Sequence, residues 1–126
     1  MITLATDKAP AAVGPYSQAK VYQGILYTSG QIPLVPETGE MVSEDVREQT
    51  QQVMQNLRAI VEAAGANMGQ IIKTTCYLAD INDFAVFNQA YAEAFDEVFP
   101  ARSCFEVANL PLGAKVEVEA IVALDG

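Results

Sequence analysis

The chain has 126 residues, of which 51% are hydrophobic, and a net charge of −9 at pH 7. It contains no histidine, which excludes catalysis and metal binding through imidazole. The negative charge, without a cluster of lysine or arginine, argues against nucleic acid as a partner. This length and apolar content predict a single domain over residues 1–126.

The first half of the chain predicts a hairpin followed by a long helix. Residues 25–31 alternate in the manner of a strand, and the turn residues at 36–39 precede a short return. From Ser43, a candidate N-cap, apolar side chains recur at helical spacing until Gly65. This helix is the clearest element in the pattern.

The second half predicts a strand, a helix and two final strands. Residues 71–79 are rich in β-branched and aromatic side chains, and a second helix should begin at Asn82 or Asp83 and end at Pro100. If the two final strands pair, they do so through the turn at residues 110–113. Both helices must cover one apolar sheet face, so the predicted fold class is α+β, a two-layer sandwich.

The two final strands carry polar residues at alternate positions. Arg102, Cys104 and Glu106 occupy one face of the first strand, and Glu117 and Glu119 occupy one face of the second. The residues between them are expected to face the core: Ser103, Phe105 and Val107, then Val116, Val118, Ala120, Val122 and Leu124. If the strands pair, the guanidinium, the thiol and the carboxylates share one surface where chemistry could occur.

The second helix places an amide among aromatic side chains. Asn88 lies four residues after Phe84 and three before Tyr91, on the same stripe of the helix. It either bonds a nearby backbone group or contributes to a site.

The ends of the chain and its cysteines indicate the compartment. Neither a basic leader nor a signal-length apolar run begins the chain, and no segment approaches the ~20 apolar residues of a membrane span. Cys76 and Cys104 form no CxxC motif and are too few for a disulfide scaffold. These features predict a cytoplasmic protein with free thiols and no membrane partner.

Six segments occur together in the order and spacing of a known family: GPYSQA at 14–19, TSGQIP at 28–33, VEAAG at 61–65, NDF at 82–84, FPARSC at 99–104 and KVEVEA at 115–120. On these segments the chain resembles the Rid family of reactive intermediate deaminases, in its 2-iminobutanoate/2-iminopropanoate deaminase (RidA) branch. The resemblance implies a chorismate-mutase-like sandwich with one mixed sheet, assembled as a homotrimer with clefts between subunits. It implies hydrolysis of small 2-imino acids to 2-keto acids and ammonia, with no cofactor and no metal.

The resemblance also implies roles for residues of the final strands. Arg102 would grip the substrate carboxylate, and Glu117 would position or activate the attacking water. Cys104 would line the cleft near the imine nitrogen, and the chemistry needs no covalent nucleophile. From the residues alone, Arg102 could instead form a salt bridge to Glu106 or Glu119, and Glu117 could be a solvated strand carboxylate.

Four further residues complete the site that the resemblance implies. Tyr16 would wall the substrate side chain, Ser29 and Gly30 would lie near the carboxylate, and Asn88 would supply a polar contact. Gly30 could instead serve only a tight backbone turn, and Tyr16 could be an ordinary half-buried aromatic. Two other functions stay open: a non-catalytic regulatory trimer that binds a keto acid, and a ribonuclease or translation inhibitor, which the charge disfavours.

Overall fold

The computed structural model of the protein describes residues 1–125. Within them the elements in chain order are β1 (Ile2–Leu4), β2 (Ala19–Tyr22), β3 (Ile25–Thr28), α1 (Val46–Ala63), β4 (Ile71–Leu78), α2 (Phe84–Ala92), β5 (Ala101–Glu106) and β6 (Val116–Ala123). Short 3-10 turns at Met68–Gln70, Ile81–Asp83 and Pro111–Gly113 precede β4, α2 and β6. Neither α-helix combines the length and the apolar character that a membrane-spanning helix needs.

The strands form one sheet in the order β1-β2-β3-β6-β4-β5. β4 and β5 run parallel, and the other neighbouring pairs run antiparallel, so the sheet is mixed as the resemblance implies. The expectation that β5 and β6 pair through residues 110–113 is wrong, because β4 lies between them. The chain from β4 through α2 to β5 forms a crossover connection, which two parallel strands require. A prediction based on a short turn between β5 and β6 does not take this crossover into account.

The long helix α1 begins slightly later than its sequence pattern predicts. Asp45, not Ser43, is the N-cap, and its carboxylate accepts a hydrogen bond from the Glu48 amide. The Ser43 hydroxyl instead accepts from the Asp45 amide at 3.1 Å. Gly65 has a φ of +82°, a left-handed conformation that suits glycine just beyond a helix.

The second helix is much shorter than predicted. α2 ends at Ala92, eight residues before Pro100, and Glu97 has a φ of +70° that a helix cannot accommodate. Aromatic contacts continue past the helix end, since Tyr91, Phe95 and Phe99 pack in sequence with ring centroids 5.0 and 5.9 Å apart. The apolar pattern therefore continues in an irregular segment that packs against the core.

The N-terminal part of the fold differs from the sequence prediction. The structure contains two strands, β1 and β2, that the sequence pattern does not predict because they show no clear alternation. The strand predicted over residues 25–31 ends at Thr28. The predicted hairpin beyond it is reduced to a single bridge between Leu34 and Met41.

Both helices pack against the same face of the sheet, which we call the helix face; the other side is the open face. The core between the layers is formed by α1, α2 and the central strands, with fully buried side chains including Val53, Leu57, Ile60, Val61, Phe87, Leu26, Leu78, Val116, Val118 and Val122. The two-layer α+β sandwich is confirmed. The core residues predicted for β6 from 116 to 122 are buried as expected.

The face prediction for β5 is wrong. Cys104 stands opposite the buried Cys76 of β4 and packs against the core, so it shares the helix face with Arg102. Phe105, predicted to be core, is 46% exposed and lies on the open face with Ser103. The alternation predicts which residues share a face of β5, but it does not show which face is buried. An arginine can pack its long apolar side chain on aromatic rings, so the polar residues of β5 need not face solvent.

Candidate active site

Arg102 is held by the side chains of α2 on the helix face. Its guanidinium carbon lies 5.0 Å from the ring centre of Tyr91, 5.5 Å from Phe84 and 5.9 Å from Phe87. One guanidinium nitrogen donates a hydrogen bond of 2.8 Å to the Asn88 side-chain oxygen. The amide on the aromatic stripe of α2 thus orients the arginine, and does not bond a backbone group.

The two carboxylates that could have neutralised Arg102 are engaged elsewhere. Glu106 accepts a hydrogen bond from the Ile81 amide at 2.9 Å. Glu119 lies on the open face, where it accepts from the Tyr77 hydroxyl. Across residues 1–125 no carboxylate forms an ion pair with Arg102. An exposed guanidinium with a fixed orientation and no acidic partner is suited to bind an external carboxylate through paired hydrogen bonds.

The two cysteines lie side by side on the helix face and are unsuited to nucleophilic attack. Burial raises the pKa of the Cys76 thiol to about 12. Burial also raises the pKa of Cys104, although the charge of Arg102 opposes this. These thiols therefore stay protonated at neutral pH, whereas the thiolate is the reactive form, and Cys104 lies on the same face of β5 as Arg102.

Glu117 lies on the open face, against the backbone of Gly30. Gln31 and Val118 exchange two backbone hydrogen bonds of 2.9 and 3.2 Å, which bring the preceding glycine beside β6. A Cβ atom at residue 30 would lie 2.0 Å from the Glu117 Oε2 atom. Glycine at residue 30 therefore leaves room for the carboxylate in its present position, and this contact explains the glycine better than the turn geometry considered from sequence.

The electrostatic surroundings of Glu117 favour its protonated form. Burial raises the pKa of the Glu117 carboxyl, and the nearby Glu119 raises it further. A carboxyl with a raised pKa is a stronger base when ionised and can also return a proton near neutral pH.

Ser29 adjoins Gly30 in the chain, and Ser29 and Tyr16 line the same hollow. The Ser29 hydroxyl donates a hydrogen bond of 2.5 Å to the Ser17 carbonyl, and its amide donates to the Gln18 carbonyl at 2.9 Å. Ser29 thus joins the 14–19 segment to the glycine, and only its hydroxyl oxygen can still accept. Tyr16 is 49% exposed and lines an open hollow that Ser29 also borders.

The predicted site residues therefore form two clusters. The arginine cluster comprises Arg102, Asn88 and Cys104 on the helix face; the glutamate cluster comprises Glu117, Gly30, Ser29 and Tyr16. The expectation that Arg102, Cys104 and Glu117 share one surface of a chain is wrong, because the register places Arg102 opposite Thr74 and Glu117 opposite Tyr77, on different faces of β4.

The sequence analysis did not predict the aromatic rings around Arg102 or the hydrogen bond between Tyr77 and Glu119. Phe87 lies three residues after Phe84 and four before Tyr91, a spacing that could have placed all three rings on one side of α2. No sequence signal connects Tyr77 with Glu119, which are 42 residues apart.

Comparison with known proteins identifies the family. The sequence profile described as endoribonuclease L-PSP matches residues 6–124. This chain belongs to the endoribonuclease L-PSP family. Within the L-PSP family, a 2-iminobutanoate/2-iminopropanoate deaminase from Salmonella typhimurium is 52% identical over 122 residues and 94% of each chain. The chloroplastic Reactive Intermediate Deaminase A of Arabidopsis thaliana is 49% identical over 96% of this chain and 65% of its own length.

A solved L-PSP family structure confirms the fold. Escherichia coli TdcF, crystallised with bound serine, is 44% identical and superposes with a TM-score of 0.94 over 98% of both chains. The resemblance to the reactive intermediate deaminases stated from the sequence segments is thus confirmed at the level of family and fold.

Proposed function

We propose that this protein hydrolyses small 2-imino acids, such as those released when serine or threonine is dehydrated, to 2-keto acids and ammonia. One observation of the structure supports it above the others: Arg102 has a fixed orientation, an amide partner and, within residues 1–125, no carboxylate partner. Relatives at 49% and 52% identity bear deaminase names, which supports the same reaction.

In the proposed reaction, Arg102 binds the substrate carboxylate and Glu117 handles the protons. A water oxygen adds to the imine carbon while its proton passes to Glu117, and the carbon–nitrogen double bond becomes single. Glu117 then returns that proton to the nitrogen, which gives an amino alcohol. Glu117 next transfers the hydroxyl proton of this amino alcohol to the nitrogen, the carbon–nitrogen bond breaks with its electron pair leaving on ammonia, and the carbonyl forms. Catalysis of this kind consists mainly of positioning and general acid–base transfer.

The separation of the two clusters supports a site shared between chains. A small imino acid cannot contact the arginine cluster and the glutamate cluster of one chain, because the sheet separates them. We propose that one subunit supplies Arg102, Asn88 and Cys104, and that a second supplies Glu117, Gly30, Ser29 and Tyr16. A closed homotrimer with three such clefts satisfies this requirement with one repeated contact.

The proposed setting is the cytoplasm, where thiols stay reduced. Both cysteines are free in the structure, one buried and one half-buried. A reactive imine formed there would be intercepted before it damages other proteins.

A second function, ligand sensing without turnover, draws on the serine bound to TdcF. An amino acid carries the same carboxylate as an imino acid, so the arginine cluster would suit either ligand. Tight binding of a keto acid without rate enhancement would favour this function.

The deciding experiment measures keto-acid formation by a serine or threonine dehydratase while semicarbazide competes for the released imine. Adding this protein should raise the yield of keto acid, and Arg102→Ala should abolish the increase. The matched control is Arg58→Ala, which removes an α1 arginine whose one hydrogen bond in the described chain is a long 3.5 Å contact to the Ala94 carbonyl. No increase with the wild-type protein, folded and assembled, would contradict the proposed function.

A further inference from the structure

Tyr77 is a strand tyrosine whose hydroxyl connects with the glutamate cluster. It stands opposite Glu117 in the register of β4 and β6, yet its hydroxyl donates a hydrogen bond of 2.9 Å to Glu119 Oε1. Phe105 of β5 packs edge-on against the Tyr77 ring, with centroids 5.3 Å apart and planes at 90°. The ring is thus fixed from β5, and the hydroxyl reaches diagonally across the open face to the second carboxylate of β6.

The two carboxylates of β6 have unequal surroundings. Glu117 and Glu119 are two residues apart on one face of the strand, about 7 Å along it. The Glu119 carboxylate accepts a hydrogen bond from Tyr77, whereas no group within residues 1–125 donates one to the Glu117 carboxylate, which lies against Gly30. The hydrogen bond therefore fixes the position of the Glu119 carboxylate, and with it the place of its charge relative to Glu117.

Resting on the proposed role of Glu117, we propose that Tyr77 is a positioning residue that holds the Glu119 carboxylate in a fixed place near Glu117. The charge of Glu119, held there by the Tyr77 hydroxyl, favours a proton on Glu117, the carboxyl beside Gly30.

Tyr77 can act as a donor throughout the working pH range. Burial, followed by the hydrogen bond to Glu119, raises the pKa of Tyr77 to about 12. The phenol therefore remains protonated at acidic and neutral pH. Its function in this proposal is electrostatic, since it neither contacts Glu117 through a hydrogen bond nor exchanges a proton with substrate.

Other polar groups on the open face leave the pair unneutralised within a chain. On β4, Lys73 lies beyond Thr75 and pairs with Ile121, and on β3 Tyr27 also pairs with Ile121. On β5, the open-face neighbours Ser103 and Phe105 carry no charge. No cation among residues 1–125 forms an ion pair with either carboxylate, so Tyr77 is the group that distinguishes them.

The test follows the glutamate carboxyl carbons by ¹³C nuclear magnetic resonance during a pH titration of the assembled protein. In the wild type the Glu117 midpoint should lie above the ordinary carboxyl range, because burial and then the charge of Glu119 raise its pKa. Tyr77→Phe keeps the ring and its contact with Phe105 but removes the donor, so the Glu117 midpoint should move to lower pH. Glu119→Gln should move it in the same direction, because the neighbouring charge is gone.

The double variant Tyr77→Phe/Glu119→Gln separates this role from a structural one. Without a charge at residue 119, removal of the hydroxyl should cause no further shift of the Glu117 midpoint. Tyr22→Phe is the matched control, since Tyr22 lies on the open face of β2, opposite Ile25 and distant from the pair. It should leave the midpoint unchanged.

Three results would overturn the proposal: an unchanged Glu117 midpoint in Tyr77→Phe, an unchanged Glu117 midpoint in Glu119→Gln, or an equal shift in Tyr22→Phe. Because Glu119→Gln leaves Tyr77 in place, a folding defect in Tyr77→Phe would not protect the proposal. The acid limb of kcat/KM should move to lower pH with the Glu117 midpoint. Failure of the proposed function would appear separately, as absent turnover with the shifts of the Glu117 midpoint intact.

Discussion

The helix face and the open face of this sheet fix their polar groups by different means. On the helix face, Arg102 is held by aromatic rings and one amide, all from α2. On the open face, Glu117 lies in the space left by Gly30, and burial and the charge of Glu119 raise its pKa. The first arrangement fixes the position of a permanent charge, and the second adjusts the proton affinity of a carboxyl group. In the proposed reaction both are needed for imine hydrolysis, yet they lie on opposite faces of the sheet of one chain.

Loss of the carboxylate should have the largest effect. Glu117→Gln keeps the shape of the side chain but removes the base, so kcat should fall by about 10²–10⁴-fold. Steady-state turnover of the imine measures it, with Glu62→Gln on the exposed side of α1 as control. Unchanged turnover would remove Glu117 from the mechanism.

Exchange of the arginine tests the other face. Arg102→Lys retains the charge but loses the planar fork that can bond Asn88 and a carboxylate together, so kcat/KM should fall by about 100-fold. Arg58→Lys is the control, measured in the same assay. A kcat/KM close to that of the wild type would contradict the carboxylate clamp.

Hybrid trimers of two inactive variants test whether the arginine cluster of one subunit and the glutamate cluster of another form a shared site. Arg102→Ala and Glu117→Gln proteins, unfolded together in equal amounts and refolded, should recover about a quarter of wild-type activity, because that fraction of shared sites receives both intact residues. Each variant refolded alone provides the baseline. If both residues act within one chain, mixing restores nothing.

A methyl group at residue 30 should have a smaller effect. Gly30→Ala places a Cβ 2.0 Å from the present position of Glu117 Oε2, so the flexible carboxylate must move while the strands stay in place. Turnover should fall by roughly tenfold or more through misplacement of the base. Circular dichroism should be unchanged, and an unaltered kcat would show that the position of Glu117 is not critical.

Stability should respond to Glu117 with a predictable sign. The raised pKa of Glu117 means that folding favours its protonated form, so its favourable contribution is complete below the ordinary carboxyl pKa and is lost as the pH rises through the raised value. Glu117→Gln should therefore have a higher Tm than the wild type at pH 7, and the difference should shrink in acid. Thermal unfolding of both proteins at one subunit concentration measures the Tm difference at pH 7 and at acidic pH. An equal Tm difference at the two pH values would contradict the burial of an ionised Glu117.

Local sequence patterns predicted the helices and strands better than they predicted which strands pair. The helical spacing from Val46 to Ala63 identified α1 to within a few residues, and the alternation from 116 to 122 identified the buried side of β6. The end of α2 was wrong, because aromatic residues continue past Ala92 in a segment that packs without being helical. An apolar pattern reports burial, and burial is common to helices and irregular segments.

The sequence allowed the residues of the candidate site to be named, but not their positions relative to one another. The family segments singled out Arg102, Glu117, Gly30 and Asn88 as site candidates. Whether they bind substrate remains a prediction, but the register of β4 with β5 and β6 decides that Arg102 and Glu117 lie on opposite faces. A pairing inferred from the turn at 110–113 placed them together, since sequence does not reveal that β4 is inserted between their strands.

The sequence by itself determined the long helix, the presence of the second helix, the strands from β3 to β6, the α+β class, the absence of imidazole chemistry and the family. The tertiary structure alone decided which side of the sheet each polar group occupies, the aromatic surround of Arg102, and the hydrogen bond from Tyr77 to Glu119. The physical reason is that local periodicity records which residues alternate, whereas strand order and register depend on packing between segments that are distant in the chain.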